Sequence, residues 1–85
     1  MTEADFRPGI YEHYKSTPKG RRYYMVLGKG RHTETEEIVA VYVPMYFLAE
    51  HKGPRIQVRP FAMFLQDVEW QGKTMPRFRY IGQEL

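Results

Sequence analysis

Apolar and polar residues alternate along this chain in short runs that suit strands, and nowhere do they sustain the spacing of a long helix. Pro8-Gly9 is a turn signal. Gly9–Lys15 follows as a strand, with Tyr11, His13 and Lys15 on one face and Ile10, Glu12 and Tyr14 on the other. Ser16–Gly20, which holds Pro18 and Gly20, reads as a loop. Arg22–Lys29 is the clearest strand, because Tyr23, Tyr24, Met25, Val26 and Leu27 run together and aromatic and β-branched side chains pack well on a pleated surface. Gly28 and Gly30 read as a turn signal opening a polar connection through His32, Thr33, Glu34 and Thr35. Ile38–Val43 is apolar on both faces, so it is expected at the centre of a covered sheet; Pro44 ends it, having no amide to donate.

Beyond Pro44 the pattern is less regular. Met45–Leu48 reads either as a loop or as an extension of the strand past a bulge, Gly53-Pro54 marks a loop, and Ile56–Arg59 is a strand. At Pro60–Leu65 the period changes. Pro60 suits a first helical position, and Phe61, Phe64 and Leu65 recur at helical spacing, so one helical turn is expected near residues 60–65. Asp67–Trp70 is a short strand, Gln71-Gly72-Lys73 a turn, and Pro76–Ile81 a last extended segment. The pattern predicts an all-β domain, a small SH3-like barrel of five to six short strands whose closure disposes of unpaired edges. A single domain is expected over 7–83, with 1–6 as a flexible tail, and Met63, Phe64 and Trp70 are expected in the core.

Composition sharpens this picture. A chain of 85 residues buries only roughly 60–65% of its unfolded surface, so it must rely on large side chains. Aromatics make up 15% of it, seven of them tyrosines, and each aromatic buries on the order of 150–250 Å². There is no cysteine, which excludes disulfides and thiolate metal sites. No apolar run approaches the ~18 residues of a membrane span. The expectation is a cytoplasmic protein that does not engage a membrane.

The net charge is +3, unevenly spread. Residues 1–32 hold Arg7, Lys15, Lys19, Arg21, Arg22, Lys29 and Arg31 against Glu3, Asp5 and Glu12, a surplus of four; residues 33–85 carry one excess acid. A clustered basic face is the minimum footprint for a polyanion, although solvated surface cations that keep a small protein in solution give the same count.

Chemistry-bearing residues are few. His13, His32 and His51 are the only histidines, and no dense metal-binding spacing links them. His13, His32 and Glu34 would form a metal or catalytic site only if the fold brought them together. The plainer expectation is a hydrogen-bonded strand histidine at 13 and a turn at 32–35 whose side chains satisfy backbone amides. Tyr14 with Lys15, and Arg21-Arg22 with Tyr23-Tyr24, interleave cations with rings as a single-stranded nucleic-acid groove requires, yet alternate tyrosines also build small cores. Arg59 and Arg77 are open to a ligand reading, gripping a carboxylate, phosphate or peptide; the structural expectation is that Arg59 caps the helical turn or pairs with Asp67 or Glu69.

Several of these pieces follow one another in a recognisable order: Gly9-x-Tyr11-x-His13-Tyr14-Lys15, Leu27-Gly28, Arg31-His32-x-Glu34-Thr35, Val41-Tyr42, Val58-Arg59-Pro60-x-x-Met63-Phe64, and Arg77-Phe78-x-Tyr80-Ile81-Gly82. The set resembles a small bacterial domain-of-unknown-function family, number 1653, over about Gly9 to Gly82. The resemblance implies a stand-alone small bacterial domain and brings no activity with it. Against the family pattern the chain is longer after Lys15, through Ser16–Lys19, and after Tyr46, through Phe47–Gly53. Both differences fall in predicted loops and so touch the binding surface more than the fold.

The first expectation is a binding module rather than an enzyme, with no cofactor and no metal, taking a protein or peptide against an aromatic rim of Tyr11, Tyr14, Tyr42 and Tyr46 between the loops Ser16–Gly20 and Ala49–Arg55. The second is single-stranded nucleic-acid binding through Lys15–Arg31, with Tyr14 or Tyr23 under bases. A small enzyme or metal site at His13, His32 and Glu34 is third. The binding residues expected on these grounds are Tyr11, His13, Tyr14, Lys15, Arg22, Tyr23, Arg31, His32, Glu34, Tyr42 and Arg59. A monomer or a weak homodimer fits equally well.

Overall fold

The longest apolar runs become the two longest strands and pair with each other. The computed structural model describes all 85 residues. Its strands are β1 (Gly9–His13), β2 (Tyr23–Arg31), β3 (Ile38–Pro44), β4 (Gln57–Pro60), β5 (Asp67–Trp70), β6 (Lys73–Pro76) and β7 (Phe78–Gly82), with one helix, α1 (Phe61–Leu65), after β4. Five strands form an antiparallel sheet in the order β4-β3-β2-β1-β7, and β5 and β6 make a separate two-stranded ribbon. The fold is all-β, and the helical turn lies where the sequence pattern puts it. The sheet is not closed into a barrel: β4 and β7 remain edges. Between them the chain turns into α1 and the ribbon, and β4 stops after four residues at Pro60, which has no amide to extend a ladder.

Gly28 and Gly30 are strand residues, not the turn expected. At Gly28 the β2–β3 register shifts and φ reaches 144°, a bulge conformation that favours glycine. At Gly30 an added Cβ would stand 3.0 Å from the Val41 side chain, so the absence of a side chain lets the two strands approach.

One face of the sheet carries the core. Tyr11, Tyr24, Val26, Ala40, Tyr42 and Phe78 are buried there, and α1 lays Phe61 and Phe64 over one end. Phe64, fully buried, stacks on Phe78 with ring centroids 4.4 Å apart. Tyr11 and Tyr42 contact Phe64 at 5.4 and 5.8 Å in edge-on and tilted geometry. Such pairs add about 0.5–1.5 kcal/mol beyond the burial of their area.

The amino terminus belongs to this layer and is not a free tail. Thr2 and Asp5 close a single 3-10 turn over Glu3–Asp5 by side-chain hydrogen bonds. Phe6 then packs edge-on against Phe61 and Phe64, at 4.9 and 5.7 Å, and the terminal amine reaches the Leu65 carbonyl. A short chain gains core by recruiting an apolar residue from its end. Met63 and Trp70, expected in the core, are 41% and 37% exposed: Met63 lies on the outer side of α1, and the two-stranded ribbon is too narrow to cover Trp70.

Candidate functional site

At the end of the core face away from α1, beside the buried Tyr24 and Phe78, polar side chains collect. His13, the last residue of β1, stands opposite Phe78, with ring centroids 5.2 Å apart, and 6.1 Å from the Tyr24 ring. Its Nδ1 accepts the Lys15 amide at 3.1 Å, so the proton of the neutral ring sits on Nε2. Burial, and then the charges of Arg22, Arg59, Lys15 and Arg77, lower the pKa of His13 to about 4. The imidazole is neutral at physiological pH and sits in a positive field.

Each neighbouring cation comes from a different element. Arg22 immediately precedes β2 and lies 5.9 Å from the Tyr46 ring centroid. Arg59 in β4 donates through Nε to the Tyr42 hydroxyl at 3.2 Å and stands 5.7 Å from the Phe78 ring. That placement replaces the expected pairing with Asp67 or Glu69. Arg77, between β6 and β7, has a buried Nε without any acceptor. The Tyr24 and Tyr46 hydroxyls share a 2.6 Å hydrogen bond, and burial together with that neighbour raises the pKa of Tyr24.

A groove of ≈ 240 Å³ opens beside this cluster. One wall is the β1–β2 loop with Lys15, Thr17 and Arg22; the other is Tyr46, Phe47 and Leu48. Phe47 is 85% exposed. It is held by Arg55, whose Nη2 donates to the Pro44 and Tyr46 carbonyls and whose guanidinium lies 4.3 Å from the Phe47 ring centroid. The two segments that the family resemblance marks as longer are the ones that face each other here.

A buried carboxylate on the outer face stiffens the loop wall. Glu12 accepts hydrogen bonds from Ser16 Oγ (2.7 Å), Arg21 (2.9 Å) and Arg79 (2.7 Å). Ser16 Oγ in turn accepts the Arg22 amide. Burial pushes the Glu12 carboxyl up, but the bonds from Ser16, Arg79 and Arg21 outweigh it and hold its pKa below the ordinary value.

The residues expected to bind therefore divide. Lys15 and Arg22 line the groove, His13 and Tyr14 line a separate cavity that also holds Glu12, and Arg59 lies against Tyr42. Tyr11 is fully buried, with its hydroxyl satisfied by the Arg7 carbonyl and amide, and Tyr42 is buried too, so both are core rather than rim. Tyr23 neighbours Glu12 in the β1–β2 ladder and, alternating with Tyr24, faces away from the core. Arg31, His32 and Glu34 lie at the far turn: Arg31 pairs with Glu36, and His32 Nδ1 accepts the amides of Glu34 and Thr35. His13 is level with Arg22 and His32 follows Arg31, a separation of roughly 25–30 Å along an extended strand. One metal ion cannot be shared across that distance, which removes the expected His13–His32–Glu34 constellation. Phe47 and Leu48 were absent from the expected set, because an exposed Phe in an irregular segment carries no local signal.

No helix is long and apolar enough to cross a membrane. No curated protein matches the chain. Residues 9–80 match the family described as Protein of unknown function (DUF1653). The fold is also similar to the crystal structure of a DUF1653 protein from Bordetella bronchiseptica, with 35% identity over 96% of this chain and 95% of that one and a TM-score of 0.80. In sequence and in fold alike, then, the chain belongs to the DUF1653 family.

Proposed function

We propose that the protein is a non-catalytic binding module whose partner is a protein or peptide segment of acidic character, laid in the groove between the β1–β2 loop and Tyr46–Leu48. The observation that carries this reading is the pairing of opposite walls, Lys15 and Arg22 facing the exposed Phe47 and the half-buried Leu48, with no acidic residue lining the groove. An exposed aromatic beside cations that have no counter-ion suits a segment alternating acidic and apolar side chains. Rigid walls favour binding because less ordering is needed, and the Glu12 and Arg55 contacts supply that rigidity.

The nucleic-acid reading draws on the same basic residues but needs them on one face. Arg21 turns to Glu12, Lys29 to Glu3 and Arg31 to Glu36, at separate places on the molecule. The open edge of β4, where Val58 is exposed beside Ile56, is the surface that a weak homodimer would use.

The test is an amide NMR titration with a mixture of peptides alternating Asp or Glu with Leu or Phe, beside a charge-reversed mixture and a mixed single-stranded RNA. The expected result is movement of Lys15, Arg22 and Tyr46–Leu48 with the acidic mixture alone, weakening as salt rises. Equal response to the charge-reversed mixture, or response only to RNA, would reject a protein partner of this chemistry.

A further inference from the structure

An antiparallel sheet with one face on the core and the other in water reads apolar inward and polar outward. The outer face of this five-stranded sheet does not. Side chains alternate along each strand, so the neighbours of the core residues Tyr24, Val26 and Tyr42 point to the opposite side. There Ile10, Met25 and Val43 form one row across β1, β2 and β3, and Val41 pairs with Val58 of β4. Leu27 joins them at the β2 bulge. Leu27 is 54% exposed and Val58 61%, because α1 lies over the other face. Only two strand residues on the outer side carry charge, Glu12 and Arg79, and they close on each other at 2.7 Å in its β1–β7 corner. A contiguous apolar surface without a free charge is the mark of a face that meets another protein surface.

We infer that this face packs against the same face of a second copy of the chain, two open sheets closing into one sandwich about a two-fold axis. Three observations select a copy of this chain as the occupant. The first is size. The five strands hold 5, 9, 7, 4 and 5 residues. At a ~3.4 Å rise and a ~4.8 Å strand spacing they cover about 500 Å² in plan. Side chains standing on that plan bring the accessible area towards the ~800 Å² per partner that a stable interface buries. The second is charge. Glu12 is closed by Arg79 and Arg21 of its own chain, so the face holds no lone charge to select a partner of opposite sign, and homodimer interfaces are the more apolar ones. The third is symmetry. β2 is the central strand, and a two-fold axis along it lays β7 of one copy over β4 of the other. The Glu12–Arg79 corner then falls at the rim and away from its own counterpart, while the apolar rows meet at the centre. A chain this short also gains the second layer that its small core lacks. The inference goes beyond the binding-module reading and does not rest on it, since Tyr46, Phe47 and Leu48 lie outside these strands.

The experiment is sedimentation velocity of the full chain from about 1 to 500 μM, on the unaltered protein and on Leu27→Glu, Val58→Glu and Phe47→Ala. Leu27 and Val58 are exposed in the single chain, so a carboxylate at either position stays in water in the monomer, and circular dichroism checks each fold. Leu27→Glu separates the face from the open edge, because β3 stands between β2 and β4. The expected result is a species of twice the chain mass that grows with concentration. Either Glu substitution should raise its dissociation constant about tenfold or more, because the dimer would bury an unpaired charge. Phe47→Ala, in the groove, should leave it unchanged. A monomer at every concentration would overturn the inference and leave the face to a different protein. A dimer weakened by Val58→Glu but not by Leu27→Glu would overturn it by placing the contact at the β4 edge, and one lost only in Phe47→Ala would do so by placing it in the groove.

Discussion

The two ends of the sheet's inner face are made of the same residue types and arranged to opposite effect. At the end covered by α1, Tyr11 closes its hydroxyl on Arg7, Arg7 stacks 4.3 Å over Tyr80, and Phe6, Phe61 and Phe64 exclude water. Polar groups there have partners. At the other end Tyr24 and Phe78 continue the same aromatic layer beside the neutral His13, but Arg22 and Lys15 there have no carboxylate partner. The difference teaches where the fold closes its polar groups on partners and where it leaves cations without a carboxylate. Aromatic packing is indifferent to what lies over it, so one continuous layer supports both a sealed end and a charged, open one.

The largest effect should come from the sealed end. Phe64→Ala removes a fully buried ring stacked on Phe78 and should cost about 3–5 kcal/mol, most of the stability of a domain this small. Urea denaturation measures it, and a loss under about 1 kcal/mol would mean that α1 is not the seal described here.

Next comes the strut beneath the open end. Glu12→Ala should lower stability by about 1–3 kcal/mol, because it removes three side-chain bonds from a buried carboxylate. It should also speed amide exchange at Ser16 and Arg22 before that of β3. Uniform acceleration across the sheet would show that Glu12 supports the whole fold and not this wall in particular.

The smallest effect is the pH dependence of the open end. The folded pKa of His13 is about 4 and an unfolded histidine titrates near ~6.5, so the unfolded chain takes up the proton first. The stability due to a neutral His13 is complete above about pH 6.5 and is lost as the pH falls towards 4. Allowing for partial exposure, the loss between pH 7 and 5 should be roughly 1–2 kcal/mol. His13→Asn should flatten that limb while leaving the acid limb of Glu12, whose lowered pKa acts at more acidic pH. A limb unchanged by His13→Asn would assign the dependence to another group.

Much of this was legible along the chain. Alternation and aromatic runs predicted the strands, and β5 at Asp67–Trp70 and the turn of helix after Pro60 appear as read, because both depend on near neighbours. Barrel closure was misjudged because it depends on whether β4 meets β7, a contact between segments far apart in sequence. Gly28 and Gly30 were misjudged for a related reason: a glycine that eases a turn is the same residue that permits a bulge or a close strand, and only the partner strand decides which. Phe6 looked like a tail residue until α1 offered it a surface.

The candidate site divides in the same way. His13, Tyr14, Lys15, Arg22 and Arg59 could be singled out because each stands beside a strand residue whose face the period-two pattern assigns. Burial of Tyr11 and Tyr42, the isolation of His32 at the far turn, and the entry of Phe47 came from tertiary packing alone. By itself the amino-acid sequence determined an all-β chain with an aromatic core, no cysteine chemistry and a basic first third, since these follow from residue types and local spacing. Which cations find acids and which are left without one was decided only in three dimensions, because a charge is neutralised by what lies within a few ångströms in space and not by what lies near it in the chain.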